Sequence, residues 1–293
     1  MIFIILLAIA GTINGSLQPH INLFISHAIP RRRQGLAFGV KQAAVPLATL
    51  LAGLAVPSVA LTVGWRYAYL GVVPLGIIFF FLSPKSIHSP DLSNEHSTTV
   101  ERPSAAPIIV LAVAMGLGTG SANAFVAFLA SFAVHSGWKP SLAGVLIVFG
   151  SIMGVIARVG HGILADRRHG RHFLFAMWSA GIGGLGYLMF TFGYSWLIIP
   201  ATVIGYGAGW GWNGLFIFAV VRNFTKFAGY ATGTVQAGAY IGSVIGPLGF
   251  GLAVEKYGYS YAWILAALAS FGAAIAVAVA RRLVISTQPG AVG

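Results

Sequence analysis

The chain has no cysteine and few charged residues, and both absences narrow its class. Without cysteine, its 293 residues form no disulfide and offer no thiol nucleophile. Charged residues make up 8% of the chain, against about 25% in soluble domains, and only five residues are acidic. The nucleotide-binding pattern GxxxxGK[ST], the hydrolase pattern GxSxG and the metalloprotease pattern HExxH are also absent. We therefore expect no enzymatic activity, no cofactor and no metal site.

Long apolar runs are what the sequence has instead. Hydrophobic residues make up 57% of the chain and the mean hydropathy is +0.86, more apolar surface than a soluble fold of this length buries. A helix that crosses a bilayer needs about 20 predominantly apolar residues. The strand alternation of a β-barrel is not seen. The sequence predicts an all-α, polytopic helical membrane protein with about nine transmembrane helices: 2–28, 35–60, 64–82, 107–134, 141–163, 172–193, 195–220, 229–253 and 259–280.

The net charge of +12 is distributed as the positive-inside rule requires. The segments between the predicted spans and the chain ends fall alternately on the two sides of the membrane and so form two sets. The poorer set contains three basic residues, Arg66, Lys139 and Lys256. We predict that the richer set and the C-terminus lie in the cytoplasm, in a multi-pass protein of the plasma (inner) membrane. The charge therefore indicates orientation and not nucleic-acid binding. The richer set has thirteen members: Arg31, Arg32, Arg33, Lys85, Arg102, Arg158, Arg167, Arg168, Arg171, Arg222, Lys226, Arg281 and Arg282.

One polar segment, PKSIHSPDLSNEHSTTVERPSAAP, interrupts the apolar runs and contains three of the five acids. Its proline and serine content is typical of a solvated connector. The predicted organisation has four parts: a partial N-terminal bundle of three helices at 1–83, a cytoplasmic linker at 84–106, a six-helix C-terminal bundle at 107–282 and a cytoplasmic tail at 283–293.

Two segments match each other without gaps at an offset of 194 residues, Gly35–Tyr69 and Gly229–Trp263. Shared apolar composition does not readily explain a common mid-helix glutamine (Gln42 and Gln236) together with a common Gly-aromatic-x-Tyr-Ala ending. Internal repeats of this kind indicate duplicated bundles. The same offset would place the start of a complete first bundle before Met1, so we expect three of its helices to be missing.

The loop GILADRRHGRH, Gly162–His172, concentrates charge between two apolar spans. Its first ten residues resemble the signature G-x-L-A-D-R-x-x-G-R of the major facilitator superfamily, and the whole chain is similar to that family from its fourth to its twelfth helix. The resemblance implies a two-bundle fold and secondary active transport by alternating access. The stretch KQAAVPLATLLAGLAVP most resembles the branch that contains cyanate and related anion permeases.

The resemblance also implies that the loop is a gate. In the family the aspartate faces the start of a neighbouring helix, here near Gly229–Ala231, where the helix dipole favours a carboxylate. The arginines are expected to pair with it, while the glycines permit a tight chain passage. The alternative is that the arginines serve only membrane orientation. The predicted gating-loop residues are Gly162, Asp166, Arg167, Gly170 and Arg171.

Polar side chains inside the apolar spans are candidate solute contacts, because burying them in lipid is costly. Lys41 lies eight residues beyond Arg33, which is a depth of about 12 Å, and as a cavity cation it would favour an anionic solute. The alternative is that Lys41 extends back to the membrane surface. Arg158 is nearer its loop and is interpreted as structural. No acidic residue lies in the core of a span, so a carboxylate proton relay is not expected in these helices.

The resemblance places the fourth, seventh and tenth helices at the central cavity. His20 follows Pro19 on the first of these three helices. It either titrates during transport or is simply hydrogen-bonded. Two tryptophans two positions apart, Trp210 and Trp212, cannot both face the cavity. The predicted substrate-binding residues are Gln18, His20, Lys41, Gln42, Asn123, Trp210, Asn213, Gln236 and Tyr240.

Two functions remain open from the sequence. The first is a secondary transporter of a small solute, an anion or a polar organic molecule, which acts in the lipid bilayer with or without a coupling proton or ion. The second is a truncated, transport-inactive membrane protein that acts only as an interaction partner.

Overall fold

The computed structural model describes residues 2–82, 104–168 and 170–287 of the chain. Throughout these ranges the regular structure is helical and no strand occurs, which confirms the predicted all-α class. Segments of π-helix at Val56–Gly64 and Gly205–Gly209 extend α2 and α8. The α-helices are α1 Ile2–Ala28, α2 Gln34–Ala55, α3 Trp65–Leu70, α4 Val72–Leu82, α5 Ala105–His135, α6 Pro140–Arg167, α7 His172–Met189, α8 Ile198–Ile204, α9 Asn213–Asn223, α10 Ala228–Tyr257 and α11 Tyr259–Thr287.

Eight stretches within the described ranges are long and apolar enough to cross a membrane, which confirms the polytopic architecture. The predicted span at 64–82 differs from the others, because Gly71 separates α3 from α4. Its apolar part, Arg66–Leu82, covers about 25 Å of helix, less than the ~30 Å of a hydrocarbon core. The predicted linker lies almost wholly outside the described residues, whereas α11 continues as far as Thr287 into the predicted tail.

The polar segment divides the helices into α1–α4 before it and α5–α11 after it, and we call these groups the N-terminal and the C-terminal bundle. Within the C-terminal bundle, α5 packs on α10 and α11, and α7 packs on α11. Between the bundles, α2 packs on α6 and α9, and α1 packs on α10. The interface between the bundles is therefore formed by two helices from one side and three from the other.

At two crossings the helices approach so closely that only glycine fits. Where α2 crosses α6, a Cβ atom on Gly162 would lie 2.5 Å from the carbonyl oxygen of Gly35. Where α5 crosses α10, a Cβ atom on Gly242 would overlap the carbonyl oxygen of Gly116. Small residues allow such contact between membrane helices, and these two crossings fix the positions of α6 and α10.

The helices of the two matched segments start and break at equivalent positions, although the last part of the first is π-helical. The first begins with α2 at Gln34 and the second with α10 at Ala228, an offset of 194 residues. Each ends at a glycine with positive φ, 110° at Gly64 and 83° at Gly258, and a new helix begins at the next residue. The repeat found in the sequence therefore corresponds to a repeat of helix boundaries.

Two apolar clusters lie at opposite ends of the C-terminal bundle. The first cluster is around Phe173, Phe216 and Phe218. It is near the end of the bundle at which Asp166, Arg31 and Arg222 interact electrostatically, and we call this end the basic end. The second surrounds Phe125. Along α5 the first cluster ends at Met115 and the second starts at Ala122, so the middle of the helix is left for polar contacts. The main aromatic members of the second cluster are Phe125, Tyr187, Phe190, Tyr206 and Trp263.

Candidate solute cavity and loop gate

A mostly polar cavity of about 200 Å³ lies between the two bundles, at the height of the gap between the apolar clusters. Its volume corresponds to about seven molecules of liquid water, which suits a small solute. Helices of both bundles contribute to its wall. The lining residues are Asn14, Gln18, Gln42, Val45, Met115, Thr119, Asn123, Arg158, Trp210, Asn213, Gln236, Ala239, Tyr240 and Ser243.

Seven of the nine predicted substrate-binding residues line this cavity, and their role in binding stays a prediction. His20 and Lys41 do not line it. His20 is exposed, and its Nδ1–H donates to the carbonyl of Ser16 at 2.7 Å. The Lys41 ammonium donates to the Oδ1 atom of buried Asn22 at 2.5 Å. The seven cavity residues are Gln18, Gln42, Asn123, Trp210, Asn213, Gln236 and Tyr240.

Hydrogen bonds between α5 and α10 hold one wall of the cavity. The Asn123 amide donates to the Ser243 hydroxyl at 2.7 Å, and the Thr119 hydroxyl donates to the Ala239 carbonyl at 3.2 Å. The wall therefore presents amides and hydroxyls, which bind polar solutes. Among the described residues, no group of three or more His, Asp or Glu side chains is placed to hold a metal ion.

Arg158 supplies the positive charge of the cavity. Its side chain is 1% exposed, and its two Nη atoms donate to the carbonyls of Gln42 at 2.9 Å and of Trp210 at 3.0 Å. The guanidinium carbon also lies 4.4 Å from the centroid of the Trp210 ring, within range of a cation–π interaction. Arg158 thus joins α6 to α2 of the other bundle, in agreement with a structural role, and it lines the cavity as well.

The second tryptophan of the pair, Trp212, is fully buried away from the cavity. Its ring occupies the space beside Gly118 of α5, and its indole N–H donates to the carbonyl of Gly209 at 3.0 Å. The expectation that only one of Trp210 and Trp212 faces the cavity agrees with this arrangement.

Four polar cavity residues were not among the predicted contacts: Asn14, Thr119, Arg158 and Ser243. Helical spacing could have found three of them. Asn14 precedes Gln18 by four positions, Thr119 precedes Asn123 by four, and Ser243 follows Tyr240 by three. Residues with these spacings share one face of a helix. Arg158 lies eight residues before Asp166, so the depth argument applied to Lys41 applies equally to it.

The gating loop places Asp166 at the start of α2. The two carboxylate oxygens accept hydrogen bonds from the backbone N–H groups of Gly35 at 2.7 Å and of Leu36 at 2.8 Å. These are among the first amides of α2, which have no acceptor within their own helix. A negative charge at this position is favoured by the helix dipole. Asp166 therefore caps a helix of the other bundle by accepting hydrogen bonds from backbone N–H groups, whereas the expected partners were arginine side chains.

The expected position of Asp166 near Gly229–Ala231 is wrong. The reason is the crossing of α6 with α2, where Gly162 meets Gly35 and brings the last turn of α6 to the start of α2. Gly35 is the repeat counterpart of Gly229, so the expectation identified the right kind of helix start in the wrong copy of the repeat.

The rest of the loop reverses the chain between α6 and α7. Gly170 and Arg171 have positive φ angles of 84° and 62°, and Arg171 is the residue immediately before α7. A left-handed conformation is unusual for a non-glycine residue and indicates a tight turn. The side chains of Arg167 and Arg171 are exposed.

Secondary transporters bind their solutes in polar sites between groups of membrane-spanning helices, and the cavity described here has such a position. The chain matches the model of the Major Facilitator Superfamily over residues 1–233. It belongs to this family and is a multi-pass membrane protein, a secondary transporter of the major facilitator type that carries a small solute. The resemblance seen in the loop motif is thereby confirmed, whereas the anion-permease branch stays a prediction. A comparison with curated proteins finds no match.

Proposed function

We propose that the protein carries a small anion or polar organic molecule across the plasma membrane by alternating access, through the cavity between its bundles. The observation that carries this proposal is the cavity itself, in which polar residues from α1 and α2 face polar residues from α5, α6, α9 and α10. A site divided between two bundles is exposed to one side or the other when the bundles rock.

The contact at the basic end is suited to opening and closing. It consists of a glycine crossing, Gly35 on Gly162, and of two charge-assisted hydrogen bonds from the start of α2 to Asp166. Small residues allow close but reversible helix contact, and the hydrogen bonds form only when α2 and the end of α6 meet. We place this end in the cytoplasm, together with the C-terminus, because the basic residues are concentrated in the loops on that side.

Solute counterflow in proteoliposomes tests the proposal. The purified full chain is reconstituted, preloaded with unlabelled solutes of several classes, and assayed for uptake of the matching labelled solute. We expect saturable exchange of one class. Ser243→Leu, which puts a larger apolar side chain into the cavity, should reduce the exchange at least about tenfold, since it also leaves the Asn123 amide unpaired.

Thr234→Leu is the matched control, because Thr234 is on the same helix but does not line this cavity. It should exchange solute as the unmodified chain does. Folded protein that exchanges no solute of any class would contradict the proposal and favour the transport-inactive interaction partner.

A further inference from the structure

Arg158 is a buried charge whose hydrogen-bonding capacity is only partly used. A guanidinium has five N–H donors. Two of them donate to backbone carbonyls, and the Nε atom is buried without any acceptor. A buried donor without an acceptor and a buried charge without a counterion are both costly, and in membrane proteins they mark binding sites. The arginine therefore keeps a charge and N–H donors that the surrounding protein does not use.

Nothing in the described part of the chain neutralises this charge. The acids of the sequence are Asp91, Glu95 and Glu101, which lie in the polar segment, together with Asp166 and Glu255. Asp166 is bound to the start of α2, and Glu255 is exposed in the last turn of α10. Lys41 adds no second charge to the wall, because it is bound to Asn22 outside the cavity. Among the described residues, the cavity wall thus has one positive charge, that of Arg158.

We propose that Arg158 is the anion-binding residue of the cavity and that the solute is a small organic monocarboxylate. This inference rests on the proposed function and specifies the solute. A single positive charge balances a single negative one, and the planar guanidinium fits a carboxylate with two parallel hydrogen bonds. A point charge such as the ammonium of Lys41 does not have this geometry.

The remaining wall accommodates a short carbon chain with one polar substituent. Val45, Met115 and Ala239 provide apolar contacts, so an organic anion suits the cavity better than an inorganic one. The Asn213 side chain is buried and its Oδ1 atom has no hydrogen-bond partner. As an acceptor it suits a hydroxyl group of the solute, which can donate to it. The volume of about 200 Å³ limits the solute to a small molecule.

The position of Arg158 also connects solute binding to the movement of the bundles. One Nη atom donates to the Gln42 carbonyl on α2, whereas Arg158 itself belongs to α6. A carboxylate bound to the guanidinium lies at this junction of the two bundles. Binding then changes the strength of the bond to Gln42, so the solute acts directly on a contact that must change when the bundles rock.

The first experiment compares carboxylates with their neutral amides on the unmodified full chain. Acetate, lactate and pyruvate are paired with acetamide, lactamide and pyruvamide, and nitrate serves as an inorganic monoanion. Binding is measured as the shift of the unfolding temperature, and transport is measured as counterflow in proteoliposomes. We expect at least one carboxylate to bind at least about tenfold more tightly than its amide and than nitrate, because only the organic carboxylate satisfies both the charge and the apolar wall.

The second experiment changes the charge. Arg158→Gln should weaken carboxylate binding at least about tenfold, and Arg158→Lys, which keeps the charge but not the planar fork, should recover part of the loss. Arg168→Gln is the control, an exposed cation at the end of the same helix whose removal should leave binding within roughly twofold of the unmodified chain. The comparison on the unmodified chain decides the question even if the Arg158 variants fail to fold.

The outcomes separate this inference from the proposed function. Tight binding of amides or nitrate in place of carboxylates, or full carboxylate binding by folded Arg158→Gln, would overturn the inference alone. Carboxylate binding that depends on Arg158 without any counterflow would overturn the proposed function and leave the anion site standing.

Discussion

At the scale of single residues, the interface between the bundles depends on two charged side chains of α6. Arg158 donates to a backbone carbonyl of α2, and Asp166, eight residues further along, accepts from the first backbone amides of the same helix. Both therefore bind the backbone of α2, the first inside the molecule and the second at its basic end. We infer that the two residues have different tasks, solute binding for Arg158 and closure for Asp166.

Substitution of Asp166 should open the basic end. Asp166→Asn keeps one acceptor oxygen and Asp166→Ala keeps none, and a cap of this kind is worth about 1–2 kcal/mol. We expect the closed arrangement to become roughly fivefold to thirtyfold less populated in Asp166→Ala, with a smaller change in Asp166→Asn. Because the chain has no other cysteine, maleimide labelling of Ser243→Cys from the basic side measures the opening.

Glu255→Gln is the control, since it removes the exposed acid of α10. Unchanged labelling and transport in Asp166→Ala would show that the carboxylate does not hold the gate.

Substitution of Lys41 should affect stability more than solute binding. In Lys41→Met, the side-chain oxygen of Asn22 loses the hydrogen bond that the Lys41 ammonium donates to it, and Asn22 is 1% exposed. An unsatisfied buried polar group costs about 1–3 kcal/mol, so the unfolding temperature in detergent should fall. Lys41→Gln retains a donor and should stay closer to the unmodified chain. Lost carboxylate binding at unchanged stability would instead assign the anion site to Lys41.

At the scale of helices, the pairing of α5 with α10 depends on glycine. A Cβ atom on Gly242 would overlap the Gly116 carbonyl, whereas one on Gly249 of the same helix would meet nothing within 4 Å. The two glycines therefore have different roles, although the sequence gives no means to distinguish them. Gly242 permits a contact between helices, and Gly249 only adds conformational freedom to its own helix.

Alanine substitutions at these two positions should change stability in opposite directions. Gly242→Ala should lower the free energy of unfolding by about 1–3 kcal/mol, because the helices must move apart. Gly249→Ala should be neutral or stabilising by up to about 1 kcal/mol, because alanine favours the helix more than glycine does. Thermal unfolding in one detergent gives both values. Equal effects at both positions would contradict the described crossing of α5 and α10.

At the scale of the whole molecule, we predict the orientation of the chain in the membrane. The prediction rests on the unequal distribution of basic residues over the loops, and α6 is a convenient helix for testing it. Lys139 lies just before its first turn and Arg168 just after its last, and both are exposed. The 28 residues of the helix are about 42 Å long, enough to place these two residues on opposite sides of a bilayer.

Single-cysteine labelling in intact cells tests this orientation. Lys139→Cys should react with a membrane-impermeant maleimide from outside, and Arg168→Cys should react only after permeabilisation. Both substitutions are made in a chain without other cysteines, so each signal reports one position. The reverse pattern would invert the topology and would place the Asp166 gate on the outer side.

Much of the fold could be predicted because helices in lipid are determined locally. Backbone amides must be satisfied within each membrane helix, so a run of about 20 apolar residues is sufficient to indicate one. The glycines at 64 and 258 likewise mark helix ends in both copies of the repeat. The exception is the stretch at 64–82, whose interruption at Gly71 was not apparent from hydropathy.

The sequence by itself determined the helical class, the repeat and the seven predicted residues that line the cavity, since polarity within an apolar span is a property of the residue and its solvent. Only the tertiary structure decided which helix start receives Asp166, and that Arg158 and not Lys41 lines the cavity. Gly35 and Gly229 are equivalent as sequence, and their difference arises from a contact between residues 131 positions apart. Such contacts depend on how helix surfaces fit together, which hydropathy and charge do not encode.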